Sequence, residues 1–231
     1  MKIRVILPVI LTWILYIGAC FGVFYYIKGT LDRKHEQEKP AEIVASTEAT
    51  EEFLEQQEEE TTEEIIKTNP DNPLVPVETG EIKTLIDNML KAMADGDIKQ
   101  LKKLDLYKEA YADTSAVQKA SDIIEDYKNT AIYSKKGLDE NSLVIFVATD
   151  MKVRGCDTLA PGMFRFYVVR DERDNWHVNT APVEELDSAV FAHMHSVQND
   201  EDVLQLIKKV NKAFKEACNK DQTLKNLVDH N

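Results

Sequence analysis

Residues able to do acid–base chemistry gather in the stretch Asn141–Asn179, where Asp150, Arg165, Tyr167 and His177 stand with Trp176 and Asn179. An Asp/His or Tyr/Asp pair could move a proton, provided the two groups reach hydrogen-bond distance. Strand alternation predicts the opposite: Asp150 falls on the other parity from Tyr167 and His177. No catalytic residue is therefore assigned, and an enzyme is not expected. Arg165, Tyr167, His177, Trp176 and Asn179 are candidate ligand-binding residues, because an apolar lining with a few polar groups suits a pocket. His193-Met194-His195 is the only close histidine pair, and it has no third ligand nearby in sequence, so no metal site is expected. Cys156 and Cys218 belong to no CxxC motif and form neither a zinc signature nor a disulfide framework. Two unpaired thiols is the simpler reading; pairing is open to them if the domain lies outside the cytoplasm. There is no glycine-rich phosphate loop, serine-nucleophile motif or Cys/His couple, and no cofactor is implied.

The elements that must position these residues follow from periodicity. Ile82, Leu85, Ile86, Met89, Leu90 and Met93 make a broad apolar helix face. Gly96 suits the left-handed position that ends this helix, and Asp97 can cap the next, which carries Leu101 and Leu104. Val117, Ala120, Ile124 and Tyr127 predict a third helix running into a strand near 129–135, broken at Gly137. Leu143–Val153 and Met163–Arg170 read as strands joined by a connection, Arg154–Gly162, with Ala160-Pro161-Gly162 as its corner. The turn Asp171–Asn175 then returns the chain along Trp176–Asn179, pairing Arg170 with Trp176 and Val168 with Val178. One face, Val144, Phe146, Ala148, Phe164, Phe166, Val168, Trp176 and Val178, is the expected core. The other mixes Ile145, Val147, Thr149 and Met151 with Arg165, Tyr167, His177 and Asn179. Ser188–Met194 precedes a long helix opened by Asn199-Asp200-Glu201-Asp202. Its apolar face runs Val203, Leu206, Ile207, Val210, Phe214, Ala217 and Cys218, and Asp221 can cap a last turn.

The formal charge of −13 is unevenly spread. Residues 36–80 carry 14 acidic and two basic side chains. An acidic chain of this kind argues against nonspecific nucleic-acid binding, which uses Lys and Arg to displace counterions. Low hydrophobicity with high charge makes this tract an expected disordered spacer; a short helix at Glu51–Gln57, anchored by Phe53 and Leu54, is the sharper alternative. Val5–Ile27 carries no charged residue for 23 positions, roughly 35 Å as a helix and enough for a bilayer core of about 30 Å. It reads as an uncleaved span; Ile17-Gly18-Ala19-Cys20 also resembles a lipobox, which would put a lipid on Cys20. Lys and Arg flank both ends, so the positive-inside rule does not orient it. The short basic start resembles a bacterial signal anchor, which implies an extracytoplasmic C-terminal domain.

The helix Ile82–Met93, then Ala94-Asp95-Gly96-Asp97, Leu101 and Leu104, resembles the opening of NTF2-like domains. Lys135-Lys136-Gly137-Leu138, the strand Val144–Val153, and Asp157-Thr158-Leu159-Ala160-Pro161-Gly162-Met163 leading into Phe166-Tyr167-Val168 are similar to a membrane-anchored branch of low-GC Gram-positive bacteria. The resemblance covers about residues 81–230. It implies an α+β fold: an N-terminal transmembrane helix, a disordered acidic linker, then an NTF2-like cone, helices packed on a curved antiparallel sheet, with extra C-terminal helices. The expected divisions are a short cytoplasmic 1–4, a signal anchor 5–27, a linker 28–77 and the domain 78–231. The implied role is a single-pass, membrane-anchored, extracytoplasmic binding module, with an envelope protein or peptide as its partner and no nucleic acid. The alternative is a structural subunit of an envelope assembly, similar to conjugation-channel (VirB8-like) components, in which the domain self-associates into a homo-oligomer.

Overall fold

The computed structural model describes residues 69–182 and 185–229. The expected membrane span, Cys20 and the tract up to residue 68 lie outside them. Among the described residues no helix is long and apolar enough to cross a membrane.

The chain enters through a two-residue strand, β1 (Val75–Pro76), and the apolar helix face becomes α1 (Glu81–Asp95). Gly96 ends α1 at φ 64° and ψ 26°, its N–H turned back to the carbonyls of Ala92 and Met93. Asp97 caps α2 (Ile98–Leu104) by accepting from the Gln100 N–H at 2.9 Å. A 3-10 turn (Lys108–Tyr111) leads to α3 (Ser115–Ile123). Four strands follow: β2 (Ile124–Lys136), β3 (Ser142–Val153), β4 (Ala160–Arg170) and β5 (Trp176–Asn179). The chain closes with α4 (Ser188–Gln198), α5 (Glu201–Lys220) and α6 (Gln222–Asp229). The sheet is an antiparallel meander in the order β1-β2-β3-β4-β5, so the architecture is α+β.

Two sequence expectations need correction. The third helix stops at Ile123, and Ile124 and Tyr127 belong to β2. Register shifts at Ile124/Asp126 and Lys128/Ala131 each insert a residue, and Asn129 takes φ 51° at the second. Ile124 and Tyr127 pair with Val153 and Met151, and Thr130 bonds Thr149, so all three meet one face of β3. Bulges stretch the normal spacing of two to three, which mimics a helix.

The second correction concerns the faces. The connection after β3 is shorter than expected: Ala160–Gly162 lie inside β4, with Pro161 opposite Asp150 and Gly162 opposite Thr149. The observed register puts even-numbered residues of β3 on the face of odd-numbered residues of β4, the opposite of the expected sharing of faces. Ile145 and Val147 now pair with Phe166 and Phe164, and Val144 and Phe146 with Tyr167 and Arg165. The expected core face and mixed face each lose their β3 half to the other. Asp150 comes onto the face of Tyr167 and His177. It sits six residues along the sheet from Tyr167's partner Val144, about 20 Å at 3.3–3.4 Å per residue.

Both faces are covered. On one, Ile132, Ile145, Val147, Phe164, Phe166, Val168 and Val178 meet Leu85, Ile86, Met89 and Leu90 of α1, with Leu101, Tyr111 and Val117 alongside. On the other, Val144, Phe146 and Tyr167 meet Met194 and Val197 of α4 and Val203 and Ile207 of α5. A third cluster, Val153, Cys156, Ala160, Ala217 and Leu224, joins the β3–β4 corner to the helix ends. Each such large apolar side chain contributes roughly 1.5–3 kcal/mol by leaving water.

The outer layer is pinned by a charge. Lys135 has a fully buried side chain, and its ammonium lies 2.7 Å from both Asp200 and Asp202 at the start of α5. It also donates to the Asn72 carbonyl at 2.8 Å. Asp202 accepts in turn from the Leu74 N–H at 2.8 Å, and Asn72 bonds the Lys136 backbone through both side-chain atoms. Part of the stretch assigned to the linker, Asn72–Val77, is thus bonded to the edge of β2. Replacing Lys135 by Met strands two carboxylates in a half-buried site, a change that typically costs 3–5 kcal/mol. Denaturant unfolding of Lys135→Met is therefore expected to show a loss of about that size, with partial recovery when Asp200 and Asp202 are also made Asn. A loss below about 1 kcal/mol, the value of an exposed pair, would remove the pin from the account.

Candidate functional site

Asp171 begins the turn between β4 and β5. Its Oδ1 accepts from the N–H groups of Arg173 and Asn175, both at 2.9 Å, and its Oδ2 lies 3.1 Å from His177 Nε2. A carboxylate only accepts, so His177 donates from Nε2. The His177 Nδ1 is buried and meets no partner among the described residues. The Asn175 amide, with the Arg173 amide and His177 adding to it against a partial burial cost, holds the Asp171 carboxyl down at about 2. Asp174 completes the turn at φ 68°.

This turn delivers Asn175 and Trp176 to the flank of α1. There they close a groove of about 470 Å³ with Glu81, Thr84, Leu85 and Asn88 of α1 and Leu104 of α2. Leu85 belongs to the core, and Trp176 packs against that core, so the floor is apolar. Asn88 and Asn175 are exposed polar residues of its lining, and the Asn175 side-chain amide also donates to Asp171 at 3.4 Å. The Arg170 guanidinium sits 4.5 Å from the Trp176 ring and bonds Asp174 at 2.9 Å, which steadies the indole. A smaller cleft of about 240 Å³ lies between the end of α1 and β2, edged by Asp87, Asp95, Glu125 and Asp126, with Tyr127 at its base. Lys91 in that cleft is paired with Asp95 at 2.7 Å.

The structure separates the five candidate residues. Arg165 reaches Gln198 of α4 through Nη1. Tyr167 is 4% exposed beneath α4 and α5. Asn179 shares that face and accepts from the Ala181 N–H at 3.1 Å, which closes the end of β5. His177 holds the Asp171 turn. Of the five, Trp176 lines the larger of these two clefts, and the other four line neither. The face expected to form a pocket is roofed by the C-terminal helices. The opposite side is filled by Phe164 and Phe166, stacked at 5.9 Å, with Tyr127 edge-on to Phe164 at 5.6 Å. Asp150 bonds Asn129 at the bulge, at 2.7 Å.

No family model and no curated protein matches this chain. The site stands on its own residues.

Sequence reasoning missed Asp105. It is 1% exposed and accepts from the amides of Tyr107 (3.0 Å) and Thr180 (3.2 Å) and from the hydroxyls of Tyr111 (2.7 Å) and Thr180. Burial pushes its carboxyl above the ordinary range, with the Thr180 and Tyr111 hydroxyls opposing the shift. The signal was available: Leu104-Asp105-Leu106 sets a charge between two apolar residues at a helix end. Asp105 ties α2 to the end of β5, where the Leu106 N–H bonds the Val178 carbonyl, and so keeps Leu104 and Trp176 on the same side of the groove.

Two outcomes follow from these carboxylates. Asp105→Ala leaves buried donors without an acceptor and is expected to cost about 3 kcal/mol in denaturant unfolding; a cost near zero would mean that the donors find water. Asp171 has a lowered carboxyl, so its contribution is present above the ordinary carboxylate range and fades as pH falls from about 4 toward 2. Hydrogen exchange of the Arg173 and Asn175 amides should lose protection across that window, and in Asp171→Ala at neutral pH. Unchanged protection in both experiments would show that the turn holds without the carboxylate.

Proposed function

We propose that this chain is a membrane-anchored, extracytoplasmic and non-enzymatic binding module with an NTF2-like domain, and that it takes an extended stretch of a peptide or envelope protein in the Trp176 groove. The observation that carries this reading is the groove itself. It is an open trough with an apolar floor, two exposed asparagines in its lining and an indole steadied by Arg170. Extended chains are bound through such features, with side chains on an apolar floor and backbone groups on nearby amides. Three helices on one face of a five-strand meander are the layering an NTF2-like domain would have, and α4–α6 are then the extra C-terminal helices. The interior of such a cone, the usual place for a small ligand, is here packed with Phe164, Phe166, Ile145 and Val147. The Asp105 carboxylate and the His177 imidazole are engaged in structural bonds and line neither cleft.

The test uses the full chain in detergent with Trp13→Phe, which leaves Trp176 as the single indole of the two in the sequence. Short random peptides on an array supply the probes. Selected peptides are expected to shift Trp176 emission. Asn88→Arg, an exposed change in the groove lining, should weaken them at least tenfold, about 1.4 kcal/mol, while Lys212→Ala on α5 leaves them unaffected. Peptides indifferent to Asn88→Arg and silent in Trp176 emission would sink the groove reading. Discrete homo-oligomers crosslinked in membranes and abolished by Asn88→Arg would assign the groove to a second copy, the alternative of a structural assembly subunit.

A further inference from the structure

The third cluster brings together the two cysteines of the described chain. Cys156, 2% exposed, is a member of it, and Cys218 of α5 packs against it. The structure holds both as thiols. A single carboxylate clamps the surrounding backbone. Asp221 Oδ2 accepts from the N–H groups of Asp157 and Thr158, each at 3.0 Å, while Oδ1 caps α6 through Thr223 (2.9 Å) and Leu224 (3.1 Å). Cys156 is the residue before Asp157. Cys218 lies in the last turn of α5, three residues before Asp221, which ends that helix in extended backbone. Ala217, beside Cys218, is buried in the same cluster as Cys156. A disulfide joins Cα atoms about 5.5–6 Å apart, and Cys218 packs against the same small cluster that holds Cys156. The corner is also fixed from within: Gly155 turns at φ 79°, the Cys156 N–H bonds the Val153 carbonyl at 3.1 Å, and Lys152 donates to the Cys156 carbonyl.

We propose that Cys156 and Cys218 are a redox-modification site: in contact with an oxidising thiol–disulfide couple they form an intramolecular disulfide that locks α5 and α6 to the β3–β4 corner. The order of attack follows from exposure. Cys218 is the more accessible sulfur, whereas burial, with Asp221 adding to it, raises the Cys156 thiol. The Cys218 thiolate attacks one sulfur of glutathione disulfide and expels one glutathione thiolate, leaving a mixed disulfide. Cys156 then gives its proton to solvent, and its thiolate attacks the Cys218 sulfur and expels the second glutathione thiolate. Two protein thiols are oxidised, and one glutathione disulfide is reduced to two glutathione molecules. The inference uses neither the Trp176 groove nor the location of the domain, so it stands or falls separately from them.

The experiment takes the full chain in detergent with Cys20→Ser, which leaves two of the three cysteines, and equilibrates it with glutathione disulfide and glutathione. Thiols titrated under denaturing conditions are expected to fall from two to none. Trypsin should release Gly155–Arg165 covalently joined to Glu216–Lys220. The melting midpoint should rise by about 5–10 °C, as expected for closing a long loop, and return on reduction. Cys156→Ala should stop at a glutathione adduct on Cys218. The proposal is overturned by thiols that stay reduced at equilibrium, by a glutathione adduct persisting on Cys218 while Cys156 is intact, by a chain dimer joined through Cys218, or by Cys156→Ala that takes up no glutathione.

Discussion

Val144, Ile145, Phe146 and Val147 are consecutive in β3, and none has exposed surface. Alternation sends two of them to each side of the sheet. A strand of that kind is stable only if both sides are covered. The N-terminal helices cover one and the C-terminal helices the other, so α4–α6 are a required layer, and the groove is left at the margin where neither layer closes. A surface able to meet a partner is thus a product of where the packing ends.

Apolar burial supplies the bulk of the driving force, and a few polar groups decide which segments lie where. Lys135, Asp105, Asp171 and Asp221 each join pieces far apart in sequence or close a turn that would otherwise be open. Lys135 reaches across 65 positions to Asp200, and Asp105 across 75 to Thr180. Such groups contribute modestly when satisfied and cost heavily when one partner is lost. Their placement at the junctions between layers is what makes one arrangement of the helices preferred over neighbouring ones.

Much of the fold was legible because local chemistry pointed the same way as the whole. The Ile82–Met93 face, Gly96, Asp97 and the five-residue turn before Trp176 each gave an element with its boundary. The β4–β5 pairing came out residue for residue, because the turn length fixes it. The β3–β4 register did not. Both parities of Leu143–Val147 are apolar, so the pattern carries no preference for a face, and Pro161 at the first ladder pairs disguised the start of β4 as a corner. Bulges in β2 disguised a strand as a helix end in the same way. The errors propagated to the candidate site: with the faces exchanged, Arg165 and Tyr167 became part of a helix interface, and of the five only Trp176 lines either of the two clefts. Lys135 was visible as a charge at the end of a strand, but the structure sets it opposite Val144 with Asp200 65 residues away, and nothing local announced that partner.

The pin around Lys135 also has a mechanical meaning. Among the described residues, the segment Asn72–Pro76 is tied to β2 and, through Leu74 and Asp202, to the first turn of α5. Tension on that segment loads the β2 edge and the C-terminal layer before it loads α1. The groove begins at Gly80 and Glu81, after the bond from Val77 to β2, and is closed by the β4–β5 turn. The attachment point therefore acts as a strain relief: a pull that would shear a two-residue strand is shared with a twenty-residue helix, and the Trp176 groove is kept out of the load path.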